Sequence, residues 1–244
     1  MALSGAILDF DGTIVDTLDA WRSLEGSLAA DADIVVTPED RRKLTTFTLD
    51  ETADWFHTQH GLGESAAAVR ASIDDYMVDF LSRSVRVLPG VEEFLEACKQ
   101  AGVNLSVASS SPQLYLQTAL KGTGLLPYFS HVISVEDIGH SKREPHIYHH
   151  ARELMGTPKA ETWGFDDSLY ALQTLAQAGY PTVGVFDQHE GIPFVQWGDH
   201  ATLAVKSFEG LALDQVQLKA HFLQLRHRAV ADRAHVFLGG EHTW

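Results

Sequence analysis

Asp9 and Asp11 stand two residues apart, followed by Gly12 and Thr13, directly after an apolar run from Leu3 to Leu8. Carboxylates at the end of a buried strand, beside a glycine that permits a tight turn, can attack an electrophile, exchange a proton or bind a cation. Asp166 and Asp167 close a second apolar run, Thr162 to Phe165. Like charges about 4 Å apart cost about 4 kcal/mol per pair at an effective dielectric near 20, so ionised carboxylates gathered together demand a cation. A hard, oxygen-seeking ion such as Mg²⁺ meets that demand with one or two carboxylates, waters and a phosphate. A calcium loop opens with the same Asp-x-Asp but needs Gly at its sixth position and Glu at its twelfth. Ile14 and Ala20 stand there. A structural turn at 9–13 and a helix cap from one acid of the later pair are the simpler alternatives. The expectation is that Asp167 is a ligand and Asp166 assists by a hydrogen bond or a bridging water.

Ser109, Ser110, Ser111 and Pro112 end another apolar run, Val103 to Ala108. Free N–H groups at the start of a following helix favour an anion, and serines before proline also serve as ordinary caps. Lys142, in Ser-Lys-Arg-Glu-Pro, would be a surface lysine in most proteins; beside a phosphate and several acids it would supply a second positive charge. His146, His149 and His150 fall at i, i+3 and i+4, a spacing that suits a transition metal or a solvated helix face.

The elements that must position these groups alternate. Strands are expected at Leu3 to Leu8, Val103 to Ala108, His131 to Val135, Thr162 to Phe165, Pro181 to Phe186 and Ala201 to Val205. Between them Val91, Phe94, Leu95 and Cys98 mark one helix stripe, and Leu169, Leu172, Leu175 and Ala176 another, with Ser168 as its cap. Such alternation predicts an α/β fold: a doubly wound, mostly parallel sheet whose ligands gather beyond the carboxyl ends of the strands. Residues 17–87 interrupt it, with helical patterns around Trp21 to Leu28, Glu51 to His60 and Val69 to Leu81 and no comparable strand. They are expected to form an inserted helical domain, with 1–16 and 88–208 forming the core. Trp21, Phe47 and Trp55 are expected to pack inside that insertion. The remainder, 209–244, carries Val216, Ala220, Leu223 and Leu225 at helical spacing among Arg226, His227, Arg228 and Arg233, and is expected to be a helical extension.

The 244 residues can bury a sizeable core, and 45% hydrophobic with 21% charged residues is ordinary globular usage. A formal charge of −15 disfavours nucleic acid and anionic membranes. The lone Cys98 excludes an internal disulfide, and no window approaches the roughly 20 apolar residues of a membrane helix, so a cytoplasmic protein is expected.

Asp-Phe-Asp-Gly-Thr at 9–13, Ser109 after a strand, Lys142 before a proline-containing helix start and Asp166-Asp167 after another strand resemble, in order, the motifs of the haloacid dehalogenase superfamily. The insertion after the first motif resembles the helical cap of relatives of β-phosphoglucomutase. The resemblance implies that Asp9 is a nucleophile on phosphorus, that Asp11 is the acid and base, and that Mg²⁺ is held by Asp9, the Asp11 carbonyl and Asp167, with Asp166 nearby. It further implies that Gly12, Thr13, Ser109, Ser110 and Lys142 hold the phosphorylated small molecule. Asp11 disfavours the dehalogenase and phosphonate-cleaving branches, leaving a phosphatase, of a sugar phosphate for preference. A phosphosugar mutase is the alternative, disfavoured by Trp21 and Leu49 where an ungapped reading expects a cap histidine and arginine; Arg22, Arg41, Arg42, Lys43 and Arg70 would be other sources of a distal phosphate site. A catalytically idle Mg²⁺-binding scaffold is the second. Arg143 and His146 depart from the proline and aspartate usual after the motif lysine.

Overall fold

The computed structural model describes residues 3–44 and 47–219. Six strands form one sheet: β1 (Gly5–Leu8), β2 (Asn104–Ser109), β3 (His131–Ser134), β4 (Thr162–Asp166), β5 (Thr182–Val185) and β6 (Leu203–Val205). Their order is β3-β2-β1-β4-β5-β6 and every pair is parallel. Strands buried on both faces read as continuous apolar runs, which is why these segments were visible in sequence. Pleating sends Ile7, Ala108 and Ile133 to one face and Leu8, Val107 and Phe165 to the other.

Helices cover both faces. α5 (Val91–Gln100), following the insertion, buries Val91, Phe94, Leu95 and Cys98, with Phe94 against Phe165. α6 (Gln113–Gly122) follows β2, and the short α7 (Val135–Ile138) follows β3. On the opposite face α8 (His146–Met155) buries Ile147, Tyr148, Ala151 and Met155, and α9 (Leu169–Gln177) follows β4. Gly164 of β4 admits the Leu175 side chain, which a Cβ there would overlap.

Between β1 and α5 lie α1 (Leu18–Asp31), α2 (Pro38–Leu44), α3 (Leu49–His60) and α4 (Ala66–Arg83). α4 buries Val69, Ile73, Met77 and Leu81, a stripe every four residues, and α3 is fixed at its start by a Thr48–Glu51 capping box. α2 was not anticipated: none of its residues is buried, so it carries no periodic signal. It starts at Pro38, with the Thr37 hydroxyl accepting from the Asp40 N–H at 3.1 Å. The chain leaves and re-enters the α/β layer through paired segments, Asp16 N–H donating to the Arg86 carbonyl at 2.9 Å and Leu88 N–H to that of Ile14 at 2.9 Å. Of the expected extension, Val216 is fully buried; Ala220, Leu223, Leu225, Arg226, His227, Arg228 and Arg233 lie outside the described residues. No helix among the described residues is long and apolar enough to cross a membrane.

Candidate active site

The strand order reverses between β1 and β4, and the groups singled out by sequence meet at the carboxyl ends there. Asp9 follows β1 and its N–H is held at 2.8 Å by the Phe165 carbonyl of β4, so the two acidic turns are joined through the sheet itself. Carboxylate oxygens of Asp9, Asp166 and Asp167 lie within 4.8 Å of one another. All three side chains are buried. Lys142 arrives from the connection after α7, is 3% exposed, and donates to Asp9 and, at 2.9 Å, to Asp166 Oδ2. A lysine placed there is no surface residue.

The acids share the work unequally. The second oxygen of Asp166 accepts the Ser168 N–H at 2.9 Å, so Asp166 both braces Lys142 and ties the turn into α9. The hydroxyl of Ser168 makes no capping bond, a correction to its expected role; the Leu169 N–H that opens α9 is taken by Glu190 Oε1 at 3.3 Å. Asp167 accepts from Thr13 Oγ1 at 3.3 Å. Asp11 is gripped by three donors: Ser111 Oγ at 2.6 Å, Thr17 Oγ1 at 2.7 Å and Trp21 Nε1 at 3.0 Å. This set was missed by sequence reasoning; the Ser109–Ser111 run was visible, but which hydroxyl reaches Asp11 depends on the turn. In that turn Ser109 Oγ accepts the Ser111 N–H at 3.0 Å.

Electrostatics follow from crowding. Burial pushes Asp9 from its ordinary 3.8 up to about 7, Lys142 pulls it back, and Asp166 and Asp11 push it further. Burial, with Asp9 and Asp166 facing it, holds the Asp167 carboxyl well above the ordinary carboxylate range. Burial alone would lower the Lys142 pKa, but the Asp166 and Asp9 carboxylates outweigh it and hold the ammonium well above its usual value.

Three buried acids therefore face one buried cation, a donor set of hard oxygens short of positive charge. Gly12 completes the cradle: its φ is +75°, and a Cβ there would run into the Asp167 carboxylate. These residues fit a divalent cation such as Mg²⁺.

A cavity of about 340 Å³ opens over this cluster, with Asp9, Asp11, Ser109, Ser110, Lys142 and Asp167 on its floor. Gly12 and Thr13 are not part of its lining; they sit behind the acids, where Thr13 is fully buried. Trp21 packs against the hydrophobic core as expected and also lines the cavity, as does Phe47. Trp55 packs on Phe56 with centroids 4.9 Å apart. Of the two readings of the histidine spacing the solvated helix face is the one found: His146 and His150 are exposed, His149 bonds Tyr180 at 2.8 Å, and His146 gathers with His140 and Glu144 at the surface. Arg143 lies over the Tyr170 ring at 4.9 Å.

A family model described as haloacid dehalogenase-like hydrolase matches residues 6–185. The chain is 27% identical over 193 residues to protein CbbY of Rhodobacter capsulatus, covering 75% of this chain and 85% of that one. It is 28% identical over 228 residues to phosphoglycolate phosphatase of Agrobacterium fabrum, covering 84% and 93%. Among solved structures, β-phosphoglucomutase of Clostridium difficile superposes with a TM-score of 0.75 at 19% identity, covering 92% of this chain and 100% of that one, which establishes a common fold.

Proposed function

The chain belongs to the haloacid dehalogenase-like hydrolases, as a phosphatase of phosphorylated small molecules, and we propose that it uses Mg²⁺ and an aspartyl phosphate on Asp9. The observation that carries this reading is the convergence of Asp9, Asp11, Lys142 and Asp167 on one cavity. Asp9 attacks phosphorus and forms the acyl phosphate while the bond to the leaving oxygen breaks. Asp11 protonates that oxygen, then takes a proton from the water that cleaves the acyl phosphate. Thr17, Trp21 and Ser111 orient Asp11 for both transfers. Lys142 favours the ionised Asp9 and, with Ser109, holds the transferring group. Asp9, Asp167 and the main-chain carbonyl of Asp11, with Asp166 nearby, would hold Mg²⁺, which would neutralise charge on the phosphoryl oxygens.

We read residues 17–87 as a cap on a core of 1–16 and 88–208, closing over the site to exclude water. The paired segments at Asp16–Arg86 and Ile14–Leu88 support that division. A mutase must hold a bisphosphate, yet Lys142 is the one cation among the described residues lining the cavity. A sugar phosphate, expected from sequence, would bring hydroxyls to a cap wall that offers few partners for them: Glu25, Thr48 and Thr52, besides the Asp11-bound Trp21 N–H. The test is Asp9→Asn assayed on a panel of phosphate monoesters with Mg²⁺ and with EDTA. Turnover is expected to vanish in the variant and in EDTA; undiminished turnover by the variant refutes the nucleophile.

A further inference from the structure

The cavity has two chemically distinct halves. Its floor is the charged cluster at the strand ends. The cap wall is apolar: α1 contributes Leu24 and Leu28, the segment into α3 contributes Phe47 and Leu49, and α4 contributes Ile73. The polar groups on this wall are Trp21, Glu25, Thr48 and Thr52, and all but Thr52 have partners elsewhere: the Thr48 hydroxyl accepts the Glu51 N–H at 3.2 Å. The Trp21 N–H is donated to Asp11. Glu25 accepts from Arg41 at 2.8 and 3.0 Å. The charges that do reach the cavity are Asp9, Asp11, Asp167 and Glu25 against Lys142, and Lys142 is committed to Asp9 and Asp166.

We propose that this wall is an apolar subsite for the leaving group, and that the substrate is a monophosphate ester of an alcohol with an aliphatic or aromatic body and no second anionic group. The inference rests on the phosphatase reading for its chemistry and on the wall for its specificity. A polyol closed inside would exchange water for side chains that offer its hydroxyls few hydrogen bonds, and each unpaired hydroxyl weakens binding. A carboxylate or second phosphate on the leaving group would face Glu25 and the aspartates with no cation besides Lys142 among the described residues lining the cavity to receive it. A methylene on the leaving group gains from burial against Leu24, Leu28 and Phe47, by about 2- to 4-fold in kcat/KM for each one covered.

The experiment uses the whole chain with Mg²⁺ and compares n-alkyl phosphates from ethyl to hexyl, phenyl phosphate, sorbitol 6-phosphate and 2-phosphoglycolate. The expected result is a kcat/KM that climbs about 2- to 4-fold per methylene until the cavity is filled, with hexyl phosphate at least about 10-fold above sorbitol 6-phosphate. A flat alkyl series, or faster turnover of the polyol or acidic ester, overturns the subsite. Calorimetry with the matching n-alkyl phosphonates, which cannot be hydrolysed, separates the two readings. Affinity that climbs with chain length while no ester turns over supports the subsite and refutes the phosphatase; turnover without any chain-length dependence does the reverse. Phe47→Ser, at a half-buried position, should flatten the alkyl series, and Phe47→Leu should restore it. A series just as steep in Phe47→Ser would count against the assigned wall.

Discussion

Neutralising Asp9, the proposed nucleophile, should make the metal-free protein more stable, not less. Burial and neighbouring acids raise Asp9 from 3.8 to about 7 against the pull of Lys142. The folded state therefore retains a proton that the unfolded chain has already lost across that interval, and stability falls as pH rises through it. At 1.36 kcal/mol per pKa unit, the ionised Asp9 costs about 4 kcal/mol at pH 8, of which about 1.4 kcal/mol develops between pH 6 and pH 8. Asp9→Asn removes this cost, since the amide stays neutral. Urea unfolding in EDTA at pH 8 should show the variant up to about 4 kcal/mol more stable than the parent, with a shallower pH dependence; the slope due to Asp167 remains. Mg²⁺ at a hundred times its Kd should add about 2.7 kcal/mol to the parent. The variant, short of one ligand, should gain less, so the stability gap narrows as the metal is added. An Asp9→Asn protein no more stable than the parent in EDTA at pH 8 would refute the claim that the cluster is electrostatically strained.

Lys142→Met leaves Asp9 and Asp166 without their buried cation, and unfolding in EDTA at neutral pH should show a loss of about 3–5 kcal/mol that shrinks on acidification, together with loss of turnover. Trp21→Phe keeps an aromatic wall but removes one donor from Asp11; steady-state kinetics should show kcat reduced about 10-fold with KM changed much less. Tyr115→Phe removes the hydroxyl that reaches Asp74 Oδ1 at 2.5 Å from α6 to α4, costing about 1–2 kcal/mol in denaturant unfolding and speeding limited proteolysis near 16 and 87. Gly12→Ala forces a Cβ into the left-handed region and against Asp167, at about 1–2 kcal/mol of strain, and calorimetry should show weakened Mg²⁺ binding.

The strand runs were legible because a parallel sheet covered on both faces needs nearly continuous apolar segments, and their polar endings mark the edge where ligands bind. Asp9, Ser109, Asp166 and Asp167 could therefore be placed at one edge from the sequence, whereas Lys142, which ends no strand, joined them only through the family resemblance. What sequence could not supply was the direction of side chains on helices. Periodicity turns Trp21 inward within residues 17–87, but the cavity lies on that same side, so Trp21 is cavity wall as well as core; Phe47, between α2 and α3, carries no helical period to place it. α2 gave no signal because Glu39, Asp40, Arg41, Arg42 and Lys43 satisfy themselves in solvent and by pairing, as Arg41 does with Glu25 and Lys43 with Glu39. The histidine spacing marks a partly solvated helix face and says nothing of each ring's partner. His149 turns to Tyr180, while the partner that His146 finds, Glu144, precedes the helix and so lies off the i, i+3, i+4 pattern.

The two halves of the cavity are built by different physics and can vary separately. The floor depends on the sheet: the Asp9 N–H is bonded to Phe165, and Leu8 lies opposite both Val107 and Phe165, so displacing one acidic turn displaces its neighbours. A charged cluster that must close on one cation tolerates little of that movement. The wall depends on helices joined to the core through the paired segments at 14–16 and 86–88, and its apolar side chains, such as Leu24 and Leu28, pack without directional bonds. On the proposed subsite, replacing Leu24, Leu28 or Phe47 should change which alcohol is covered while leaving the Asp9–Lys142–Asp166 contacts in place. Substitutions on the wall should therefore alter relative kcat/KM among esters, and substitutions on the floor should lower turnover of all esters alike.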